Sequence, residues 1–296
     1  MIRRSQRYKI IKILITGGYG FVGGHMFNFF KKKYKVYRFP RKNYNLSNLK
    51  TFKKILIKYQ PNVIIHLAAR TISAIKTKKE DKLQFANTTL PVINLVNSVR
   101  YCNQLKKIIF FGTIEEYGLA KLPFLENRKI KPVSSYGFAH AKALQYVKKN
   151  INNKIEYIWL RPSLIFGRND NKRRFLGSLL DGLKNNKKIK TNINSQIRDF
   201  LYIKDMCKFV ELLIKKKQIN IKGNILNVTM ENWVNLNYIF NYFSKKIQKK
   251  LKKLITNSSS GKHLNYYSSG HLLKKFYKKF KFTNFKIALK ETFRGL

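Results

Sequence analysis

The stretch VSSYGFAHAKALQYV, residues 133–147, places a tyrosine at the start of what reads as a helix and a histidine four residues on. A phenol can pass a proton to and from an oxygen, but its unperturbed pKa is about 10. A cation beside it stabilises the phenolate and brings that value toward working pH. On a helix, position i+4 lies only about 40° around from i, so His140 can face the same pocket as Tyr136. An imidazole can hydrogen-bond a hydroxyl there, yet near neutral pH it carries only part of a charge. Lys142, at i+6, points about 120° away on a regular helix. Proton transfer at Tyr136 therefore turns on residue 140, and the competing reading makes His140 a solvent-facing helix residue. YGLAK, from Tyr117 to Lys121, offers a second tyrosine with a lysine at i+4. It runs into LPF, where Pro123 disfavours a helix, whereas Tyr136 follows a serine pair suited to capping.

A second chemical signal lies near the amino terminus. ILIT runs directly into GGYGFVGGH, so that Gly17, Gly20 and Gly23 form G-x-x-G-x-x-G at a strand-to-helix turn. The first glycines let the backbone approach a pyrophosphate, and Gly23 lets the helix pack on the sheet. The helix opened by Phe21 and Val22 presents free N–H groups to the phosphates. After a buried strand and within the first βα unit, this pattern points to a dinucleotide. The strand that follows, VYRFPRK, supplies Arg38, Arg41 and Lys42 and no acid. Cations there suit the 2′-phosphate of NADP, which tilts the choice toward NADP over NAD.

The elements that must hold these residues alternate. Apolar runs at 9–16, 35–39, 63–68, 107–112 and 155–160 read as buried strands, with helical patterns over 21–33, 46–59, 83–99 and 136–150 between them. Such alternation predicts an α/β fold: a Rossmann-type doubly wound parallel sheet with helices on both faces. Residues 1–160 read as the dinucleotide-binding domain. Residues 161–296 read as a smaller α/β substrate-binding part, interleaved with the first because NILNV (224–228) looks like a strand returning to the main sheet.

Composition bounds the rest. The chain has 296 residues, 44% of them hydrophobic, which suits a folded protein with a substantial core. It carries 63 Lys and Arg against 13 Asp and Glu, a formal charge of +50. The lysines are spread along the whole chain and no nucleic-acid-reading motif stands out, so charge supplies non-specific attraction and no specific nucleic-acid partner is expected. Acids are the rare residues here, and each one carries more information than any lysine. Cys102 and Cys207 match neither a disulfide framework nor a metal-ligand spacing. The basic start leads into a short apolar run that suits a strand better than a signal peptide, and no run approaches a membrane span. The expectation is a cytoplasmic, soluble protein without membrane insertion.

Taken in order, the motifs resemble those of the extended short-chain dehydrogenase/reductases that act on nucleotide sugars. TGGYGFVGG is similar to the family's cofactor turn, and NL at 45–46 to its Asp-Leu near the adenine. HLAAR (66–70) resembles the end of the third strand, which passes its backbone beside the cofactor ribose. FFGTIEEYG (110–118), SSYGFAHAK, LRPSLIFGR (160–168) and QIRDFLYIKD (196–205) complete the series across nearly the whole chain. The resemblance implies hydride exchange between nicotinamide and a sugar carbon, with Tyr136 as acid/base and Thr113 bonding the reacting oxygen. It implies Asn45 and Leu46 near the adenine, and Leu67, Ala68 and Ala69 along the ribose. The family's cation at i+4 is a lysine, which also holds the nicotinamide ribose; this chain has His140. Arg198 and Asp199 resemble a diphosphate contact and its orienting partner, or else form a buried ion pair between the two parts. A homodimer is implied by the resemblance alone.

The same comparison bears on the reaction. Dehydrating members resemble Thr-Asp-Glu where this chain has Thr113, Ile114 and Glu115, and Ile114 has no proton to give. Dehydration is disfavoured, leaving a 4-keto-sugar reductase or an epimerase; Glu115 is either an auxiliary base or a loop-bonding residue. The alternative from another class is a non-catalytic dinucleotide-binding or scaffold protein of the same fold, supported by His140.

Overall fold

The computed structural model describes residues 10–71, 76–172, 174–190, 196–216, 218–219, 221–242, 245–256 and 265–294. The first half runs β1 (Lys12–Thr16), α1 (Phe21–Phe30), β2 (Lys35–Arg38), α2 (Leu49–Tyr59), β3 (Val63–His66), α3 (Lys78–Gln84), α4 (Leu90–Ser98), β4 (Lys107–Phe111), α5 (Ser135–Asn150) and β5 (Glu156–Pro162). The remainder runs β6 (Leu164–Phe166), α6 (Phe175–Asn185), β7 (Ile189–Lys190), β8 (Ile197–Tyr202), α7 (Ile203–Lys215), β9 (Ile225–Val228), β10 (Trp233–Asn235), α8 (Leu236–Tyr242), α9 (Lys245–Leu254), β11 (Ile255–Thr256), α10 (His271–Phe276) and α11 (Phe285–Thr292).

Six strands form one parallel sheet in the order β2-β1-β3-β4-β5-β9. This is the predicted Rossmann-type sheet. Successive side chains leave opposite faces of a strand, and here both faces are covered. Ile13 and Ile15 of β1, Ile65 of β3 and Ile109 of β4 enter a core shared with α1 and α7. Leu14, Ile64, Ile108 and Phe110 enter the other, beneath α2, α4 and α5. The order reverses around β1, whose neighbours are β2 and β3, so the crevice beyond its carboxyl end is where such sheets take ligands.

Ile225–Val228 pairs with β5 in the main sheet. Between β5 and β6 the chain changes sheets at Ser163, whose N–H donates to the Val228 carbonyl at 3.0 Å. β6 then joins β8 and β10 in a three-stranded mixed sheet. The helix expected over 83–99 is not continuous. A π-helical turn at Phe85–Thr89 separates α3 from α4, just ahead of Pro91. Proline cannot donate to the preceding turn and its ring crowds the carbonyl four residues back, which accounts for the irregularity.

Candidate active site

The glycine turn is shaped to hold something. Gly17 has φ +67°, and a Cβ there would sit 2.9 Å from the Leu67 carbonyl carbon. A Cβ on Gly23 would sit 2.3 Å from the Gly17 carbonyl oxygen, so the start of α1 presses directly on the turn. Gly20, the N-cap of α1, offers no side-chain cap, and no acid occupies the first turn. The N–H groups of Phe21 and Val22 are therefore available to an anion at a positive helix end. A bound pyrophosphate fits this cradle. Gly23→Ala is expected to weaken NADPH binding about tenfold or more, read by calorimetry. Gly24→Ala, whose Cβ would meet nothing within 4 Å, should leave affinity unchanged.

The other residues expected to contact a cofactor follow the strands of the same sheet. The Leu67 and Ala68 N–H groups donate to Thr16 Oγ1 at 3.2 and 3.3 Å, fixing the β3 exit beside the β1 exit. Leu67, Ala68 and Ala69 are half-buried. Asn45 Oδ1 accepts from the Ser47 N–H at 3.0 Å, and the Leu46 carbonyl accepts from Asn94 Nδ2 at 3.0 Å. Arg38 folds over the turn: Nη1 donates to the Gly18 carbonyl at 3.0 Å, and the guanidinium lies 4.2 Å from the Tyr19 ring centroid and 3.7 Å from that of Phe27. Arg41 instead donates to Asn87 Oδ1 at 2.6 Å.

Tyr136 occupies the first turn of α5. The helix starts there because Ser134 Oγ accepts from the Gly137 N–H at 3.0 Å and donates to Glu115 Oε2 at 2.7 Å. Gly137 is needed for close approach, since a Cβ there would lie 2.4 Å from the Glu115 carbonyl oxygen. Thr113 follows β4 by two residues and caps the short turn that carries Glu115 and Glu116. Burial and the carboxylates of Glu115 and Glu116 push the Tyr136 phenol up, while Arg174 and Thr113 act to lower it.

His140 is not a solvent-facing residue. It is buried, its ring standing edge-on to Tyr136 with centroids 4.6 Å apart and 6.2 Å from Trp159. Neither ring nitrogen has a partner among the described residues. Burial pushes its pKa down to about 3, so at neutral pH it is uncharged. An uncharged imidazole with two unbonded nitrogens suits a hydroxyl partner and supplies no field to the phenol. α5 is regular from its first turn, so Lys142 stays exposed.

The neighbouring His66 behaves alike: it is buried, with Nδ1 3.0 Å from Thr16 Oγ1 and its pKa also pushed down to about 3. Both folded values lie below the ordinary 6.5, so the unfolded chain takes up protons first as pH falls below 6.5. Each imidazole then costs about 1.4 kcal/mol of stability per pH unit down to its folded value. Asp199, pushed up to about 6 by burial, acts oppositely: its contribution is complete below 3.8 and is lost as pH rises through 6. Glu126 and Asp170, also raised by burial, act in the same sense as Asp199, so the two imidazoles set the slope above pH 6. Urea denaturation at pH 7 and 6 should show stability falling with pH, and His140→Leu should flatten that slope.

The Glu115–Glu116 pair divides between surface and core. Glu116 is fully buried and accepts from the Thr113 N–H and Trp159 Nε1, both at 2.9 Å. It also accepts from Arg161 Nε at 2.8 Å and Nη2 at 2.7 Å. It thereby fixes the turn that carries Thr113. Glu116 and Arg161 escaped the sequence reading, although the scarcity of acids was a signal for the first. Ile114 is buried in an apolar cluster with Tyr117 and Phe124, consistent with its having no part in proton transfer. Tyr117 is fully buried, donates to Asn227 Oδ1 at 2.8 Å and stacks on Phe124, so this tyrosine belongs to a small core and YGLAK opens no helix.

Arg198 and Asp199, adjacent on β8, part company as strand geometry requires. Asp199 Oδ2 accepts from the Ser163, Thr229 and Ser268 hydroxyls. Arg198 Nη2 donates to Gln196 Oε1 at 2.6 Å, and its guanidinium lies 5.5 Å from the Tyr266 ring centroid. The two form no ion pair with each other among the described residues, and Asp199 instead joins β5, β8 and β9 at the sheet change.

A profile of the NAD dependent epimerase/dehydratase family matches residues 13–229. GDP-6-deoxy-D-talose 4-dehydrogenase of Aggregatibacter actinomycetemcomitans is 27% identical over 225 residues, covering 73% of this chain and 74% of that protein. The fold is shared with dTDP-glucose 4,6-dehydratase from Bacillus anthracis in complex with NAD, at TM-score 0.78 and 19% identity over 96% of both chains. It is shared also with dTDP-4-dehydrorhamnose reductase from the same organism in complex with NADP, at TM-score 0.77 and 19% identity over 96% of this chain and 99% of that one. Among the described residues no helix is long and apolar enough to cross a membrane.

Proposed function

The chain belongs to the NAD dependent epimerase/dehydratase family of nucleotide-sugar enzymes, and from that membership we propose that it is an NAD(P)-dependent 4-keto-sugar reductase or epimerase with Tyr136 as acid/base. The observation that carries the reading is the place of Tyr136, in the first turn of α5 against buried His140, with Thr113 in the turn after β4 and the glycine turn after β1 of the same parallel sheet. The cofactor is a nicotinamide dinucleotide. Gly17, Gly20 and Gly23 with the N–H groups of Phe21 and Val22 hold its pyrophosphate, Asn45 and Leu46 its adenine end, and the Leu67–Ala69 backbone a ribose. His140 meets the nicotinamide ribose through a nitrogen that otherwise has no partner. Arg38, at the end of β2 and folded over the glycine turn, supplies a cation for a 2′-phosphate and supports the reading of NADP over NAD. When bound, the nicotinamide supplies or accepts the hydride.

The remaining chemistry belongs to the chain. Thr113 positions the sugar oxygen, and Tyr136 gives that oxygen its proton on reduction and removes it on oxidation. Glu115 acts at one remove, holding Ser134 and so the start of α5. Arg198 contacts the nucleotide-sugar diphosphate. With dTDP- or UDP-linked 4-keto sugars, purified protein is expected to oxidise NADPH, read at 340 nm, in preference to NADH. Firm NADPH binding with neither oxidation of NADPH nor interconversion of dTDP- or UDP-linked hexose epimers would favour the non-catalytic alternative that an uncharged His140 suggests.

A further inference from the structure

Arg38 is held by rings and a backbone carbonyl rather than by a carboxylate. It ends β2, directly beside Ile15 of β1. Its stem crosses the glycine turn, since a Cβ on Gly18 would lie 2.6 Å from the Arg38 Cβ and 3.2 Å from its Cδ. Nη1 donates to the Gly18 carbonyl at 3.0 Å. The guanidinium carbon lies 4.2 Å from the Tyr19 ring centroid and 3.7 Å from that of Phe27. Among the described residues Arg38 forms no ion pair, and its Nε and Nη2 make no hydrogen bond.

The kind of holder matters. A carboxylate beside the guanidinium would fix it and neutralise it together. An aromatic face fixes it through the ring quadrupole and leaves the charge for an incoming anion. Phe27 stands on α1, half-buried, and packs on the core beneath the sheet. Tyr19 lies in the turn itself, is 60% exposed and joins none of the apolar clusters. Core packing therefore does not account for an aromatic ring at position 19, and the group on its face is the Arg38 guanidinium.

We propose that Tyr19, together with Phe27, holds Arg38 over the glycine turn for the 2′-phosphate of NADP, which makes Tyr19 a positioning residue for cofactor choice. The inference rests on the reading of NADP given above. A guanidinium already immobilised loses less conformational freedom when the phosphate arrives, so the gain falls on the phosphorylated cofactor alone.

The test is calorimetric titration of the full chain with NADPH and with NADH, without a sugar. Tyr19→Ala is expected to weaken NADPH about three- to tenfold while NADH changes by less than about twofold. Tyr19→Phe, which keeps the ring face, should retain the native selectivity. Arg38→Gln should bring the two affinities together, and adding Tyr19→Ala to it should change their ratio no further. Equal weakening of both cofactors by Tyr19→Ala overturns the inference, because it marks a role in the turn itself. So does an unchanged NADPH affinity, or a change in the ratio that persists without Arg38. Native protein that binds NADPH no better than NADH would refute the choice of NADP and the inference with it, whereas failure confined to the Tyr19 variants leaves that choice standing. No arm depends on turnover, so the acid/base role of Tyr136 is tested separately.

Discussion

Tyr136→Phe is expected to lower kcat on a nucleotide-linked 4-keto sugar by about 10²–10⁴-fold, with NADPH affinity unchanged. The substitution keeps the ring, and with it the edge-on contact to His140 at 4.6 Å and the packing at the start of α5. It removes only the phenol hydroxyl. A loss confined to kcat would assign that hydroxyl to the chemical step rather than to binding. Steady-state rates with both proteins, alongside direct NADPH titrations, make the comparison. Equal kcat values would remove Tyr136 from the mechanism.

The largest effect on stability is expected at Glu116. Its carboxylate gathers four donors inside the protein: the Thr113 N–H, Trp159 Nε1 and two nitrogens of Arg161. Glu116→Leu would leave Arg161, itself 2% exposed, as an uncompensated buried charge. Losing one partner of such a pair costs about 3–5 kcal/mol. The double variant Glu116→Leu with Arg161→Met removes both charges and should be markedly more stable than the single one. Urea unfolding at pH 7 reads both. A cost below about 1 kcal/mol for the single change would show that the pair does not hold the turn. The same turn carries Thr113, so kcat should fall in the single variant even under conditions where it stays folded.

These two residues mark where the sequence was readable and where it was not. Tyr136 was legible because a serine cap, a helical pattern and a rival spoiled by Pro123 all act within a few residues. The glycine turn was legible for the same local reason, and the alternation of strands with helices carried the parallel sheet. Glu116 finds Arg161 across 45 positions, a distance at which spacing says nothing. His140 was half legible: helix geometry put it on the side of Tyr136, but its burial depends on Trp159, which arrives with β5. The separation of Arg198 from Asp199 follows from the two-residue period of a strand and was available once β8 was recognised. Pro91 was visible in its segment and was a local signal for the break between α3 and α4.

The central claim is that this chain exchanges hydride with a sugar carbon while Tyr136 handles the proton. Its most direct test is a single turnover with NADPH carrying deuterium at the transferred position and a nucleotide-linked 4-keto sugar, analysed by mass spectrometry of the sugar product. The account predicts a product one mass unit heavier than with unlabelled NADPH, formed by the native protein and not by Tyr136→Phe. Bound NADPH that remains unoxidised, or a product without deuterium, would contradict it.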